Sequence, residues 1–532
     1  MTEQEHAPRW SASPKARLVA CTLVVAGCYL AQGLFYARTL LPSGDMVQYL
    51  VAGRLAVRGE ISLFDDRLHG NRPPLPFYVL GLTQLWGPSL LAARGANIVW
   101  GLATLLLTAL LARRLGGAGA GVLAASFLAT QGVVVAYYSN EGYAAFSAFA
   151  FTAGVLLLLS AETPRRRVVG MAAVGLLFFV RTNLWPTIPL LLAWALRRAA
   201  TPAERLGLLA VVGAPPLVFF GSDARHLKLL AYVPLLDRFV APLGYRSAFV
   251  LDDRTPLTLA ENLWEAARLV RRYEFWVLAL ALLAGVEVAR RIRRREPVLF
   301  GDGRIRLLGG LFVFMLAAQL VIFRLNWKWV GVYFPAFAPL VPLLLGTGYS
   351  RLLAGTEARS GARRLRILML AALLVPPLYF VRHPLLPVGE ARLGDPLGRV
   401  QAAAARLREA VPPDAKVFLY AWNVGYYLSG LPPTYLQQAY SDWHLAGIEA
   451  DEFTLRRSGF VPLGDLRRWL SREAGYAVID PAYLAAHEEK FPRAIRLIRD
   501  SLARDFEKTA TNADYPAVVY DVYRRRADPR IR

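Results

Sequence analysis

Residues 18–46 read LVACTLVVAGCYLAQGLFYARTLLPSGDM. The first part is apolar for about twenty residues, enough helix to cross a hydrocarbon core. The chain then turns polar and reaches an aspartate in Leu41-Pro-Ser-Gly-Asp-Met46. A carboxylate at the mouth of a membrane helix is expensive unless it faces water or a substrate. A span with an acid at its outer end therefore predicts a membrane scaffold that holds Asp45 at the bilayer surface.

Working outward, the apolar pattern recurs. Of 532 residues, 55% are hydrophobic. They fall in about eleven blocks of spanning length, near 18–37, 91–112, 119–137, 142–160, 168–182, 185–197, 207–222, 274–290, 306–323, 332–350 and 366–382. The predicted class is a polytopic α-helical membrane protein. The net charge of +23 suits nucleic acid or anionic lipid in principle. The basic residues, however, cluster between apolar runs, and there is no Lys/Arg-rich tail with interleaved aromatics. Topology and lipid headgroups account for the charge, and nucleic acid is not an expected partner. Cys21 and Cys28 share one helix seven residues apart, too far to pair, so they do not report on the redox compartment. Arg9, Lys15 and Arg17 precede the first run with no small-residue cleavage signal, which predicts an uncleaved first span.

Orientation follows from the short loops. If the spans alternate, Arg113, Arg114, Arg165 to Arg167, Arg197, Arg198, Arg205, the 290–306 run and the 351–366 run share the N-terminal side. The opposite short loops hold Arg181, Arg324 and Lys328. The bias puts the N-terminus in the cytoplasm. Three long polar pieces then lie outside. In the first, 38–90, an amphipathic stretch from Met46 to Val57 suits a helix lying on the membrane surface. The second is 223–273. The third, 383–532, follows a linker marked by Pro384 and Pro387 and has soluble composition. It reads as helix 397–410, strand 416–421, helix 465–474, strand 476–480, helix 482–503 and strand 516–523, a small extracytoplasmic α/β domain. Residues 1–382, with outer loops 38–90 and 223–273, form the membrane module.

The ionisable residues expected at the outer rim are few. Asp45 is joined by Asp65, Asp66, His69 and Arg72 in the first outer loop. Glu141 sits in Tyr137-Tyr-Ser-Asn-Glu-Gly-Tyr143, Arg181 in Phe179-Val-Arg-Thr-Asn-Leu184, and Lys328 just before Tyr333-Phe-Pro-Ala-Phe-Ala-Pro339. Tyr138 and Tyr333 complete the set of substrate-contact candidates. An Arg or Lys clamps a phosphate, and a carboxylate of suitable pKa takes a hydroxyl proton. Blander roles compete: interface anchors for the cations, helix caps for Glu141 and Asp45, a turn for Asp65 and Asp66. His69, His226, His444 and His487 lack metal-ligand spacing and read as surface residues.

The order of these pieces resembles the GT-C superfamily of integral-membrane glycosyltransferases, in particular the bacterial branch similar to protein O-mannosyltransferases and aminoarabinose transferases. The likeness rests on Gly44-Asp45 after the first span and on Arg72-Pro-Pro-Leu-Pro-Phe-Tyr78 with Leu85-Trp-Gly87 and Ala92-Ala-Arg94. It also rests on Glu141-Gly-Tyr-Ala-Ala-Phe146, on Lys328 to Pro339, and on Val417-Phe-Leu-Tyr-Ala-Trp-Asn423 through Tyr427-Leu-Ser-Gly430. The resemblance implies a polyprenyl-phosphate-linked sugar as donor and a lipid, glycan or protein acceptor on the outer face of a bacterial inner membrane. It makes Asp45 the general base of an inverting transfer and Glu141 a second acid, with Arg72, Arg181 and Lys328 on the donor phosphate. Asp45 lacks the acidic neighbour often seen in the family and the second acid is Glu, which leaves use of a divalent metal open. Two other classes fit the composition, a lipid-sugar flippase and a non-catalytic envelope assembly protein. A flippase would place its ionisable residues near the midplane of broken helices.

Overall fold

The first apolar run forms α1 (Pro14–Thr39), 26 residues of helix that reach about 39 Å at 1.5 Å per residue. This computed structural model describes residues 14–65, 68, 72–233, 236–246, 302–318, 334–354, 395–435, 450–512 and 519–527, with short pieces between 258 and 295 and at 385–390. After α1 the chain makes α2 (Gly44–Val57) and α3 (Leu75–Leu82), then re-enters the apolar layer as α4 (Leu90–Ala129) and α5 (Gly132–Tyr137). Helices α6 (Ala144–Leu159), α7 (Pro164–Gly175), α8 (Thr187–Arg198) and α9 (Pro202–Ser222) follow, then α10 (Gly303–Ala317) and α11 (Leu340–Ala354). Among the described residues, Leu18–Thr39, Leu90–Ala129 and Pro202–Ser222 are long and apolar enough to cross a membrane. The runs near 274–290 and 366–382 lie outside the described residues.

Two expected spans, 91–112 and 119–137, share the helical stretch Leu90–Ala129. It turns on Gly117, whose φ of 84° and ψ of −177° suit a residue without a β-carbon. A methyl built on Gly121 would lie 2.8 Å from the Ala109 carbonyl oxygen and 3.1 Å from the Arg113 Cβ. Residues twelve apart in a straight helix are about 18 Å apart, so the chain doubles back here. The run expected over 168–182 is also broken. Helix α7 stops at Gly175, 3₁₀ turns cover Leu176–Phe179 and Thr182–Leu184, and Arg181 between them is extended at φ −163° and ψ 133°.

Helix α2 forms where expected, and protein covers its apolar face. Met46, Val47, Gln48, Tyr49, Leu50, Val51 and Ala52 are all buried. Its apolar stripe is covered by α3 on one side and by the C-terminal part of the chain on the other. Arg54 and Arg58 come only at its last turn, and the buried run from Met46 to Ala52 carries no charge. Helices α2 and α3 cross backbone to backbone. A methyl built on Gly53 would lie 2.1 Å from the Phe77 carbonyl oxygen, and one on Gly81 2.3 Å from the Gly53 carbonyl.

The C-terminal part is helical with a four-stranded sheet. Its helices are α12 (Pro396–Ala410), α13 (Asn423–Ser429), α14 (Glu452–Ser458), α15 (Leu463–Arg468), α16 (Pro481–Ala486) and α17 (Pro492–Asp505). Strands β1 (Val417–Tyr420), β2 (Tyr476–Ile479), β3 (Phe506–Asn512) and β4 (Tyr520–Arg525) lie in the order β1-β2-β4-β3. The β1–β2 pair is parallel, with Val417 beside Tyr476, and the other two pairs are antiparallel. The helix expected over 482–503 is two helices, split before Pro492. Strand β3, FEKTATN, escapes the sequence pattern because it is an edge strand burying only Phe506 and Asn512 at its ends. Residues of α12, α13 and β4 (Val400, Val424, Tyr427, Val522) share one apolar core with α2, α3 and the start of α4.

The glycine crossing gives a direct test. Gly81→Ala forces α2 away from α3 and is expected to cost about 1–3 kcal/mol, the usual range for overpacking. Thermal unfolding in detergent or nanodiscs checks it; an unchanged midpoint would remove the close crossing.

Candidate active site

Arg94 enters in the first turns of α4, inside an apolar run where a charge needs a partner. It is fully buried. Its Nε donates to Glu141 Oε2 at 2.8 Å, and its Nη2 lies 2.8 Å from the same oxygen. Its Nη1 donates to the carbonyls of Ala37 (2.6 Å) and Leu40 (3.0 Å) at the end of α1. Those carbonyls lack partners further along the helix, and a cation there also suits the α1 dipole. Glu141 Oε1 accepts the backbone N–H of Ser43 at 2.7 Å. Ser43 is the N-cap residue of α2, two residues before Asp45. One turn along α4, Asn97 Nδ2 donates to the carbonyls of Asn140 (2.7 Å) and Gly142 (2.5 Å). The 140–142 turn, the end of α1 and the start of α2 are thus fastened to the start of α4. Glu141 does not cap α6, whose N-cap residue is Tyr143; it holds the loop leading to Asp45.

A second cluster adjoins this clasp. Arg181, 4% exposed, donates from Nη1 to the Tyr49 hydroxyl at 2.7 Å and from Nη2 to the Tyr143 hydroxyl at 2.5 Å. Its Cζ lies 3.5 Å from the Tyr143 ring centroid. The Arg72 guanidinium stands over the Tyr49 ring, 5.2 Å from its centroid. Tyr49 stacks on Phe77 at 4.4 Å and packs against Tyr143 at 5.0 Å. Tyr49 is one helical turn beyond Asp45 on α2, and Tyr143 is two residues beyond Glu141. The expected residues Glu141, Arg181 and Arg72 are therefore brought together around the start of α2. The broken α7 accounts for Arg181: extended backbone between two 3₁₀ turns carries its side chain across to α2.

The other expected residues divide. The backbone of Asp45 lies in the first turn of α2, but its side chain is outside the described residues, as are Asp66, His69, Lys328 and Tyr333. The carbonyl oxygen of Asp65 accepts from Lys228 Nζ at 3.0 Å, and that of Leu68 accepts from the same nitrogen at 3.1 Å. Buried Lys228 thus pins the first outer loop to the segment 224–232. Tyr138 is buried, and its hydroxyl donates to the Pro335 carbonyl at 2.7 Å, a packing tie away from the two arginines' cluster. Two of the histidines read as surface residues, His226 and His487, are half-buried and pack on aromatic rings. His226 stacks on Phe219 at 4.1 Å with Phe64 against its other side, and His487 packs on Tyr483 at 4.2 Å. Arg94, Tyr49, Tyr143 and Lys228 were not expected at the site. Arg94 carried the one usable signal, a cation within an apolar run, but its partner lies 47 residues away.

The architecture defines a fold class, a helical membrane module joined to a C-terminal α/β part, and comparison with known proteins places it. No protein-family model matches the sequence, and no curated protein matches it. In three dimensions the chain is similar to ArnT from Cupriavidus metallidurans bound to undecaprenyl phosphate. The TM-score is 0.57 at 13% identity, over 96% of this chain and 98% of that one. It is also similar to the Archaeoglobus fulgidus oligosaccharyltransferase tethered with an acceptor peptide containing the NVT sequon. There the TM-score is 0.50 at 13% identity, over 97% of this chain and 74% of that one. Both are GT-C glycosyltransferases, and this chain has their fold.

Removing one member of a buried ion pair strands the other, at about 3–5 kcal/mol. Arg94→Leu is expected to destabilise by that order, and Arg94→Leu with Glu141→Leu by less than the single change. A double-variant loss equal to the sum of the Arg94→Leu and Glu141→Leu losses, measured by thermal unfolding, would show that the two side chains do not act as a pair.

Proposed function

We propose that the chain transfers a sugar from a polyprenyl-phosphate carrier to an acceptor on the extracytoplasmic face, with inversion and with Asp45 as general base. The observation that carries this is the convergence of Arg72 and Arg181, held by Tyr49 and Tyr143, beside a start of α2 fixed by Glu141 and Arg94. The lipid phosphate bound to ArnT and the acceptor peptide tethered to the oligosaccharyltransferase support donor and acceptor of these kinds. The basic loops put the N-terminus in the cytoplasm, and the membrane is the bacterial inner membrane. The α/β part over 383–532 lies outside as a domain that shapes the acceptor side.

In the proposed reaction the Asp45 carboxylate takes the proton of an acceptor hydroxyl or amine as that atom attacks the anomeric carbon. The new bond forms on the face opposite the phosphate. The bond from anomeric carbon to phosphate oxygen breaks, and polyprenyl phosphate leaves with the electron pair. Negative charge grows on the departing phosphate, so cations fixed in advance stabilise the transition state more than the ground state. Arg181 and Arg72, with Lys328, supply them. Cations organised on aromatic rings need no rearrangement when the charge appears. Glu141 acts through the backbone it holds, with both oxygens engaged by Arg94 and Ser43.

Asp45→Asn is expected to lower transfer by about 10²–10⁴-fold, the span of general-base contributions, with unfolding unchanged. Arg181→Ala is expected to lower kcat/KM for the donor by about 10–100-fold, with kcat carrying most of the loss, because the charged hydrogen bonds it removes strengthen in the transition state. Purified protein with radiolabelled polyprenyl-phosphate sugars reads both, and near-normal turnover in Asp45→Asn defeats the proposal. A divalent metal at Glu141 would meet the charge of the Arg94 guanidinium and share Oε1 with the Ser43 N–H. Transfer is therefore expected to survive EDTA; loss of activity restored by added Mg²⁺ or Mn²⁺ would contradict this.

A further inference from the structure

Tyr427 on α13 and Gln84 in the turn before α4 are 343 residues apart in sequence, yet the Tyr427 hydroxyl donates to Gln84 Oε1 at 2.9 Å. Gln84 is fully buried. The same oxygen accepts the Ser89 N–H at 2.8 Å, and Nε2 donates to the Ser89 carbonyl at 3.0 Å and to Thr83 Oγ1 at 2.6 Å. Ser89 in turn caps α4 by accepting the Ala92 N–H at 3.2 Å. Gln84 is thus wired to the first turn of the helix that carries Arg94. Helix α2 reaches the same place from its other end. Burial pushes the Tyr427 phenol well above its ordinary range, and the guanidinium groups of Arg54 and Arg58 pull against that shift. Arg58 Nη2 also donates to the Leu85 carbonyl at 3.2 Å. The hydroxyl of Tyr427 therefore sits where the C-terminal α/β region, the last turn of α2 and the start of α4 meet.

We propose that Tyr427 is a positioning residue, whose hydroxyl locks the C-terminal region onto α2 and α4 and so sets where the first turn of α2, with Asp45, stands against Arg181. This rests on the glycosyl-transfer proposal above. Helix α2 is a 14-residue rod, about 21 Å long. Its first turn is tied through Ser43 to Glu141, and its last turn lies at the Tyr427–Gln84 contact. A rod held at both ends cannot rotate or slide. Released at its last turn, it swings about the Ser43–Glu141 tie and changes the angle at which Asp45 and Tyr49 are presented. The lost quantity is alignment, which lowers turnover and not donor affinity.

The test is Tyr427→Phe in the full chain in nanodiscs, which keeps the ring and its packing and deletes the hydroxyl. Hydrogen exchange over 44–57 is expected to quicken by about fivefold, the usual worth of one hydrogen bond. The kcat is expected to fall by a similar factor with donor KM unchanged. In a Gln84→Met background the same change is expected to add nothing, because the shared contact is already gone. Unchanged exchange over 44–57 overturns the proposal, as does quicker exchange with unchanged kcat, or additive effects in the double variant. A wild-type chain that transfers no polyprenyl-phosphate-linked sugar defeats the transfer proposal alone, and the joint is then decided by the exchange rates and their additivity.

Discussion

A guanidinium and a carboxylate buried out of water together are a poor bargain in simple electrostatics. Each loses its hydration, and their attraction recovers that loss only when geometry is good and the remaining donors are met. Arg94 satisfies the condition with two nitrogens on Glu141 and a third on the last carbonyls of α1. An apolar pair of similar volume would hold the helices as well or better. It would not hold the Ser43 N–H, which needs a hydrogen-bond acceptor. The pair therefore contributes location more than stability, and the part it locates is the start of α2.

The two aromatic–cation contacts follow the same logic at the neighbouring cluster. Arginine is weakly hydrated and planar, so it lies on a tyrosine ring and still presents N–H groups at its edge. Arg181 uses both faces of that chemistry, edge to the two hydroxyls and plane to the Tyr143 ring. Tyr49 serves both arginines, with its hydroxyl toward Arg181 and its ring toward Arg72. The rotation of α2 therefore decides the placement of both cations as well as of Asp45. The C-terminal α/β region packs on that same helix, which makes it part of the site's framework and not an appendage.

Much of this was legible in the chain. Hydropathy located α1, α6, α8 and α9, and the paired runs about Gly117, because lipid leaves helices few alternatives. Glu141, Arg72 and Arg181 stood out because ionisable groups are scarce near apolar runs. Their joining through Tyr49, Tyr143 and Arg94 was not legible, since tyrosines at span ends look alike whether they anchor to headgroups or hold an arginine. Helix α2 was recognised as a helix from its apolar stripe, and that stripe is covered by protein. Amphipathicity tells that a face is covered and does not tell whether lipid or protein covers it. Strand β3 was missed because an exposed edge strand has no alternating pattern to find.

The reversal at Gly117 bears on how this protein enters a bilayer. The run before it carries Arg94, Asn97, Thr104 and Thr108, all buried in the finished fold, and such a run partitions poorly when inserted alone. The run after it lacks that burden over Val122–Ala129. Joined by a turn tight enough to bring Gly121 beside Ala109, the two can leave the translocation machinery as one hairpin. The second helix then carries the first across and screens its polar groups until the 140–142 turn, which meets Arg94 and Asn97, follows. Stiffening that corner with a β-carbon would be felt during biogenesis, as poor yield, before it was felt in the mature protein.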